Sequence, residues 1–184
     1  MDHVKDYIII QNLIPKQLCK SLIIECGKLK WTKHNWYNYG KDHEYSMKEK
    51  ELEVLYSTTE QFQQLNKYLL EALKNYQKKY SGPEGDWIKH VSQIRFNRYK
   101  IGTKMRFHYD HIHSLFDGKL KGIPILSFVG LLNDNYEGGE FMCREKEIKL
   151  RRGDILLFPS NFMYPHGVKE VTKRVRFSFV SWAF

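Results

Sequence analysis

The chain of 184 residues has the length of one domain and can bury a core without help from disulfides or a structural metal. Its 42% hydrophobic and 15% aromatic content argues against a disordered chain. Three cysteines, Cys19, Cys26 and Cys143, argue against a disulfide framework and a four-cysteine zinc site, and fit a reducing, cytoplasmic setting. The net charge of +9 fits an acidic partner or, more simply, a lysine-rich solvated surface, because bases and acids interleave as in Lys48-Glu49-Lys50-Glu51. No basic leader followed by an apolar stretch is visible, and the longest apolar runs are too short to cross a bilayer.

In chain order, Tyr7–Ile10 reads as a short strand, and Pro15 suits the first turn of a helix carrying Leu18, Leu22, Cys26 and Leu29 on one stripe. Residues 31–56 are aromatic and charged without clear period. They read as loop and edge strand, with a lid around Trp36, Tyr37 and Tyr39 as the functional alternative. Ser57-Thr58-Thr59-Glu60 offers a capping box for a long helix with Phe62, Leu65, Leu69, Leu73, Tyr76 and Tyr80 on one face, ended by Ser81 to Asp86. From Trp87 the pattern turns to short strands: Val91–Tyr99, Ile125–Leu132, Glu140–Cys143, Glu147–Leu150, Asp154–Phe158 and Arg174–Trp182. The whole predicts an α+β chain, mainly β. Residues 1–86 form a helix-containing support and 87–184 a β-sandwich or barrel core, together one domain over 1–184.

Three clues carry chemistry. His108 and Asp110 in Phe107-His108-Tyr109-Asp110 point the same way on an extended segment, so they can chelate one ion. His166 follows the turn and buried strand Gly153–Pro159 and supplies a third ligand. Two histidines and a carboxylate on one face leave three open positions, which suits non-haem Fe(II) oxygen chemistry. On Arg174–Trp182, the residues Arg174, Arg176 and Ser178 share one face and Val175, Phe177 and Phe179 the other. An arginine facing the interior needs an anion, and a dicarboxylate co-substrate supplies one. Tyr99 and Ser178 could each add a hydroxyl to that carboxylate.

The order His-x-Asp, Gly-Gly-Glu-Phe, Gly-Asp-Ile-Leu-Leu-Phe-Pro, His, then Arg-x-Ser resembles the prolyl 4-hydroxylase-type branch of the Fe(II)/2-oxoglutarate dioxygenases. The resemblance runs from about Ile94 to Trp182, preceded by Ile14-Pro15-x-x-Leu18-Cys19, which is similar to a helix opening in small members. It implies a double-stranded β-helix (jelly roll) buttressed by the N-terminal helices. It implies iron on His108, Asp110 and His166, and the far carboxylate of 2-oxoglutarate on Arg176, with ascorbate as an accessory reductant. Tyr99 matches a tyrosine that contacts 2-oxoglutarate in hypoxia-sensing prolyl hydroxylases; the position of their second tyrosine corresponds to Leu131 here. The substrate class it implies is a prolyl residue of a peptide or protein.

Rival readings remain. His111-x-His113 with Asp117 imitates a cupin metal motif but leaves Arg176 unexplained. Nucleic-acid demethylating oxygenases share the triad but carry a second arginine six residues after the first, where this chain has Trp182; nucleic acid therefore ranks behind peptide as a partner. A non-catalytic module on the same scaffold would be expected to have lost a ligand or the basic anchor. Gly138-Gly139-Glu140-Phe141 reads as a hairpin turn.

Overall fold

A computed structural model describes residues 7–38, 43–45, 50–80, 88–110, 116–117 and 121–184. The order is β1 (Ile9–Asn12), α1 (Lys16–Gly27), β2 (Thr32–Lys33), β3 (Trp36–Asn38), β4 (His43–Tyr45), β5 (Glu53–Tyr56), α2 (Thr59–Tyr80), β6 (Arg95–Tyr99) and β7 (Met105–His108). There follow β8 (Phe116–Asp117), β9 (Lys121–Gly122), β10 (Leu126–Leu131), β11 (Glu137–Gly138), β12 (Phe141–Cys143) and β13 (Lys146–Ile148). The chain closes with β14 (Asp154–Pro159), β15 (His166–Val168), β16 (Val171–Lys173) and β17 (Arg176–Ala183).

Two antiparallel sheets make the double-stranded β-helix. The larger runs β1-β14-β10-β17-β6-β5-β2 and the smaller β13-β12-β15-β7. Helices α1 and α2 cover the outer face of the large sheet. Cys19 and Leu22 from α1, and Leu65, Leu69 and Leu73 from α2, pack on Phe96, Phe128, Ile155, Leu157 and Phe179. The inner face turns to the small sheet, where Tyr99, Val129, Leu156 and Phe158 meet Met105, Phe141 and Val168. This explains why β14 reads as an unbroken apolar run: Ile155 and Leu157 face the helices while Leu156 and Phe158 face the other sheet, so both faces are buried. Among the described residues no helix is long and apolar enough to cross a membrane. All three cysteines are buried and free.

Several boundaries differ from the sequence reading. The capping box of α2 is set one residue later: Gln61 N–H donates to Thr58 Oγ1 (3.2 Å) and Thr58 N–H to Gln61 Oε1 (3.1 Å). Pro15 is the residue before α1 rather than inside it, and Leu29 lies beyond the helix, 37% exposed. Residues 31–56 hold more strand than their aperiodic sequence suggests, because β5 pairs β2 on one side and β6 on the other. Gly138-Gly139 is not a hairpin turn. It carries the chain from β11, paired with β16, to β12 in the small sheet. Both glycines have positive φ, 70° and 65°, and a Cβ on Gly139 would lie 2.8 Å from Val171 Cγ2 and 3.0 Å from Arg176 Cδ.

Candidate metal centre and anion pocket

His108 ends β7 and His166 opens β15, and the two are cross-strand partners in the small sheet, with ring centroids 4.4 Å apart. Asp110 lies two residues past the end of β7 and turns its carboxylate between them. His108 Nε2 is 3.5 Å from Asp110 Oδ1, and His166 Nε2 is 3.7 Å from Asp110 Oδ2. One ligating atom from each residue lies within 4.8 Å of the others, close enough to share one ion. Each imidazole is oriented by the carbonyl two residues before it. His108 Nδ1 is 3.0 Å from Arg106 O, and His166 Nδ1 is 3.0 Å from Tyr164 O. With Nδ1–H donating to those carbonyls, the Nε2 lone pairs are left for a metal.

Electrostatics favour the same charge states. Burial pushes the Asp110 carboxyl up, but His166 and His108 beside it and the Ser127 hydroxyl outweigh that and hold it well below the usual carboxylate range. Burial lowers His166 to about 4 despite the opposing pull of Asp110. At neutral pH the site therefore presents an anionic carboxylate beside a neutral His166, and their 3.7 Å approach is not an ion pair.

Asp110 is held in turn by the large sheet. Ser127 Oγ of β10 donates to Asp110 Oδ2 at 2.6 Å, and Trp182 Nε1 of β17 donates to the same oxygen at 3.0 Å. Ser127 Oγ also lies 2.6 Å from Ser160 Oγ. Since Ser127 spends its single proton on Asp110, Ser160 is the donor in that pair. Trp182 and Ser127 were not identified from the sequence: no spacing rule links them to residue 110, and only pairing of β10 with β17 brings them together.

The other end of the cavity is basic. Arg176 is 1% exposed, and among the described residues no carboxylate pairs with it. Its Nη1 donates to Ser178 Oγ at 2.8 Å, and its guanidinium lies 5.0 Å from the Tyr99 ring and 5.8 Å from the Tyr136 ring. Its Nε is sealed from solvent without a hydrogen-bond partner. Burial raises the Tyr99 phenol, which stays protonated and able to donate. Tyr136 is a second aromatic wall that sequence reasoning missed. Leu131 is fully buried and stands opposite Ser178 across β10 and β17; it offers only hydrocarbon. Arg174 departs from the expected shared face: it precedes β17, has φ of 62°, is exposed, and reaches Asn135 O at 3.4 Å.

His108, Asp110, His166, Tyr99, Arg176, Ser178 and Trp182 thus line one cavity between the sheets. At its rim Trp36 donates Nε1–H to Glu51 Oε1 at 2.7 Å and stands edge-on to His108, with ring centroids 5.3 Å apart. Trp36 was expected near a lid, whereas Tyr39 and the Tyr37 side chain lie outside the described residues, as do His111, His113 and the Asp117 side chain of the cupin-like motif. A borderline divalent ion fits the donor set of two imidazoles and a carboxylate, and an anion fits Arg176, which has no carboxylate partner among the described residues.

Residues 94–184 match the family model described as the 2OG-Fe(II) oxygenase superfamily. A PKHD-type hydroxylase of Idiomarina loihiensis is 34% identical over 98 residues, covering 51% of this chain and 43% of that protein. The chain therefore spans less than half the length of the curated relatives it matches. A prolyl-4-hydroxylase of Pseudomonas putida superposes with a TM-score of 0.69 at 19% identity, covering 98% of this chain and 95% of that one. A prolyl hydroxylase of Trichoplax adhaerens, in complex with a hypoxia inducible factor peptide fragment, gives 0.70 at 17% identity, covering 100% and 86%. The fold, the donor set and the match agree: over residues 94–184 the chain belongs to the 2OG-Fe(II) oxygenase superfamily, whose cofactors are Fe(II) and 2-oxoglutarate.

Proposed function

We propose that this chain is a single-domain, Fe(II)- and 2-oxoglutarate-dependent dioxygenase that hydroxylates a prolyl residue of a peptide or protein. His108, Asp110 and His166 hold the iron, and Arg176 holds the far carboxylate of 2-oxoglutarate with help from Ser178 and Tyr99. The observation that carries this reading is the presence, in one cavity, of a buried guanidinium with no carboxylate partner among the described residues and of three ligating groups close enough to share one ion. When bound, the iron and 2-oxoglutarate supply an O₂-dependent oxidation that leaves succinate and CO₂ and places a hydroxyl on the substrate.

The protein's own contribution is positional. The Arg106 and Tyr164 carbonyls fix the tautomers of His108 and His166, while Ser127 and Trp182 fix the Asp110 carboxylate. The guanidinium fork of Arg176, flanked by Tyr99 and Tyr136, orients a carboxylate at the closed end of the cavity. Phe141, Val129, Val168 and Phe158 line or back the site and keep water from it. Support for a prolyl substrate comes from the names of the relatives and of the proteins sharing the fold. Nucleic acid ranks second, because Trp182 is engaged in holding Asp110 where demethylating enzymes carry an arginine.

The test is succinate formation from 2-oxoglutarate by the Fe(II)-loaded protein in air, with a panel of proline-containing peptides. The reading expects stimulation by at least one peptide together with a gain of 16 Da on it (the mass of one oxygen atom), and no turnover by Asp110→Ala. Succinate formation that Asp110→Ala leaves intact would contradict it.

A further inference from the structure

A second arginine lines the same cavity and has no role in the reading above. Arg95 stands on β6, on the face that also presents Asn97 and Tyr99. The register pairs Tyr99 with Arg176, Asn97 with Ser178 and Arg95 with Val180. Arg95 is therefore four residues from Tyr99, about 13 Å along the strand, too far to share the carboxylate on Arg176. Among the described residues it makes no ion pair. Its guanidinium lies 5.6 Å from the Trp182 ring, and its Nε is buried without a hydrogen-bond partner. Asn97 Oδ1, about 7 Å along the same face, is likewise buried and unpartnered.

Arg95 is half-buried with its Nε sealed, and Asn97 is buried outright; a sealed donor and a sealed acceptor cost stability when nothing meets them. Two such groups, side by side and aimed into one cavity, are complementary to a ligand with a carboxylate and a neighbouring N–H. We propose that Arg95 and Asn97 form a substrate-anchoring pair: Arg95 binds a carboxylate of the substrate close to the carbon to be oxidised, and Asn97 accepts an N–H from the same molecule. Trp182 lies under Arg95 and also donates to Asp110, so the anchored group sits at the metal end of the cavity. One guanidinium at this end suits a carboxylate rather than a dianionic phosphate, which calls for more than one cation. The carboxylate comes either from an acidic side chain beside the target residue of a peptide or from the α-carboxylate of a free amino acid. This inference rests on the oxygenase reading for the identity of the cavity.

The experiment is calorimetric binding to the full chain loaded with Mn(II) and 2-oxoglutarate, which needs no turnover. The probes are two matched pairs: blocked tetrapeptides with Glu or Gln before proline, and L-proline or L-prolinamide. The carboxylate member of one pair should bind at least tenfold tighter than its amide, and that pair names the source. Arg95→Met should reduce the preference to twofold or less, and Arg95→Lys, which keeps charge without the fork, should retain part of it. The melting temperature of Arg95→Met should not fall, since no ion pair is lost; this separates anchoring from a structural role. Equal binding within both pairs, or a preference that survives in Arg95→Met, overturns the proposal. A single-stranded oligonucleotide that displaces the probes and loses its own binding in Arg95→Met overturns the carboxylate assignment. Failure of the wild-type chain to make succinate would instead count against the oxygenase reading, with these affinities still measured.

Discussion

Replacing Trp182 by Phe removes one hydrogen bond and keeps most of the ring. Asp110 Oδ2 then loses the 3.0 Å indole donor and keeps only Ser127 at 2.6 Å. The lost bond goes to a charged acceptor whose side chain is 11% exposed, so solvent offsets little of it. A hydrogen bond to a charged group contributes roughly 1.5–3 kcal/mol. Part of this appears as an Asp110 free to rotate off the metal, and loss of such an outer partner weakens metal binding about 10–100-fold. The expected result for Trp182→Phe is a fall of about 30-fold in Fe(II) affinity, read by anaerobic competition with a chelator. Ser127→Ala should fall similarly, and the double variant by more than the product, because the carboxylate would then have neither clamp. Affinity within twofold of wild type in Trp182→Phe would refute the idea that the large sheet fixes the ligand.

Three further outcomes follow from the geometry. Arg176→Met should raise the KM for 2-oxoglutarate about 100-fold, as expected for loss of about 3 kcal/mol from a charge-assisted pair, with Fe(II) affinity within a few-fold of wild type. Gly139→Ala places a Cβ 2.8 Å from Val171 and 3.0 Å from Arg176 on a backbone of φ 65°; it should lower stability by roughly 1–3 kcal/mol in urea unfolding and raise the KM for 2-oxoglutarate as Arg176 shifts. The metal-free protein should lose stability as pH falls from about 6.5 toward 4. The unfolded chain protonates His166 near its ordinary 6.5, whereas the folded chain resists to about 4, so the unfolded state binds more protons across that window. The loss is on the order of 3 kcal/mol for His166, with His34, lowered by burial to about 3, adding in the same direction. Urea midpoints at pH 7.5 and 4.5 measure it; equal midpoints would contradict the burial of both rings as neutral groups.

The parts of the site that were legible in the sequence are those that local periodicity governs. His108 and Asp110 are two residues apart, and the alternation of β17 sends Arg176 and Ser178 inward while Phe179 meets the helices. Gly153 to Pro159 announced a buried strand because both of its faces are apolar. What was not legible depends on pairing between distant strands. Trp182 and Ser127 reach Asp110 only because β10 lies beside β17, and Tyr136 reaches Arg176 only because the chain bends at Gly138-Gly139. The same cause hid β5, whose short segment is stabilised by β2 and β6 rather than by its own pattern. Arg95 reads as an ordinary strand residue until the folded chain shows its Nε sealed and, among the described residues, without a hydrogen-bond partner.

Crystals of the protein grown with Mn(II) in place of iron and with 2-oxoglutarate offer the sharpest check. Anomalous scattering should place one ion within bonding distance of His108 Nε2, Asp110 and His166 Nε2, and the electron density should put the co-substrate's distal carboxylate on Arg176. An ion bound elsewhere, or a carboxylate turned away from Arg176, would contradict the assignment.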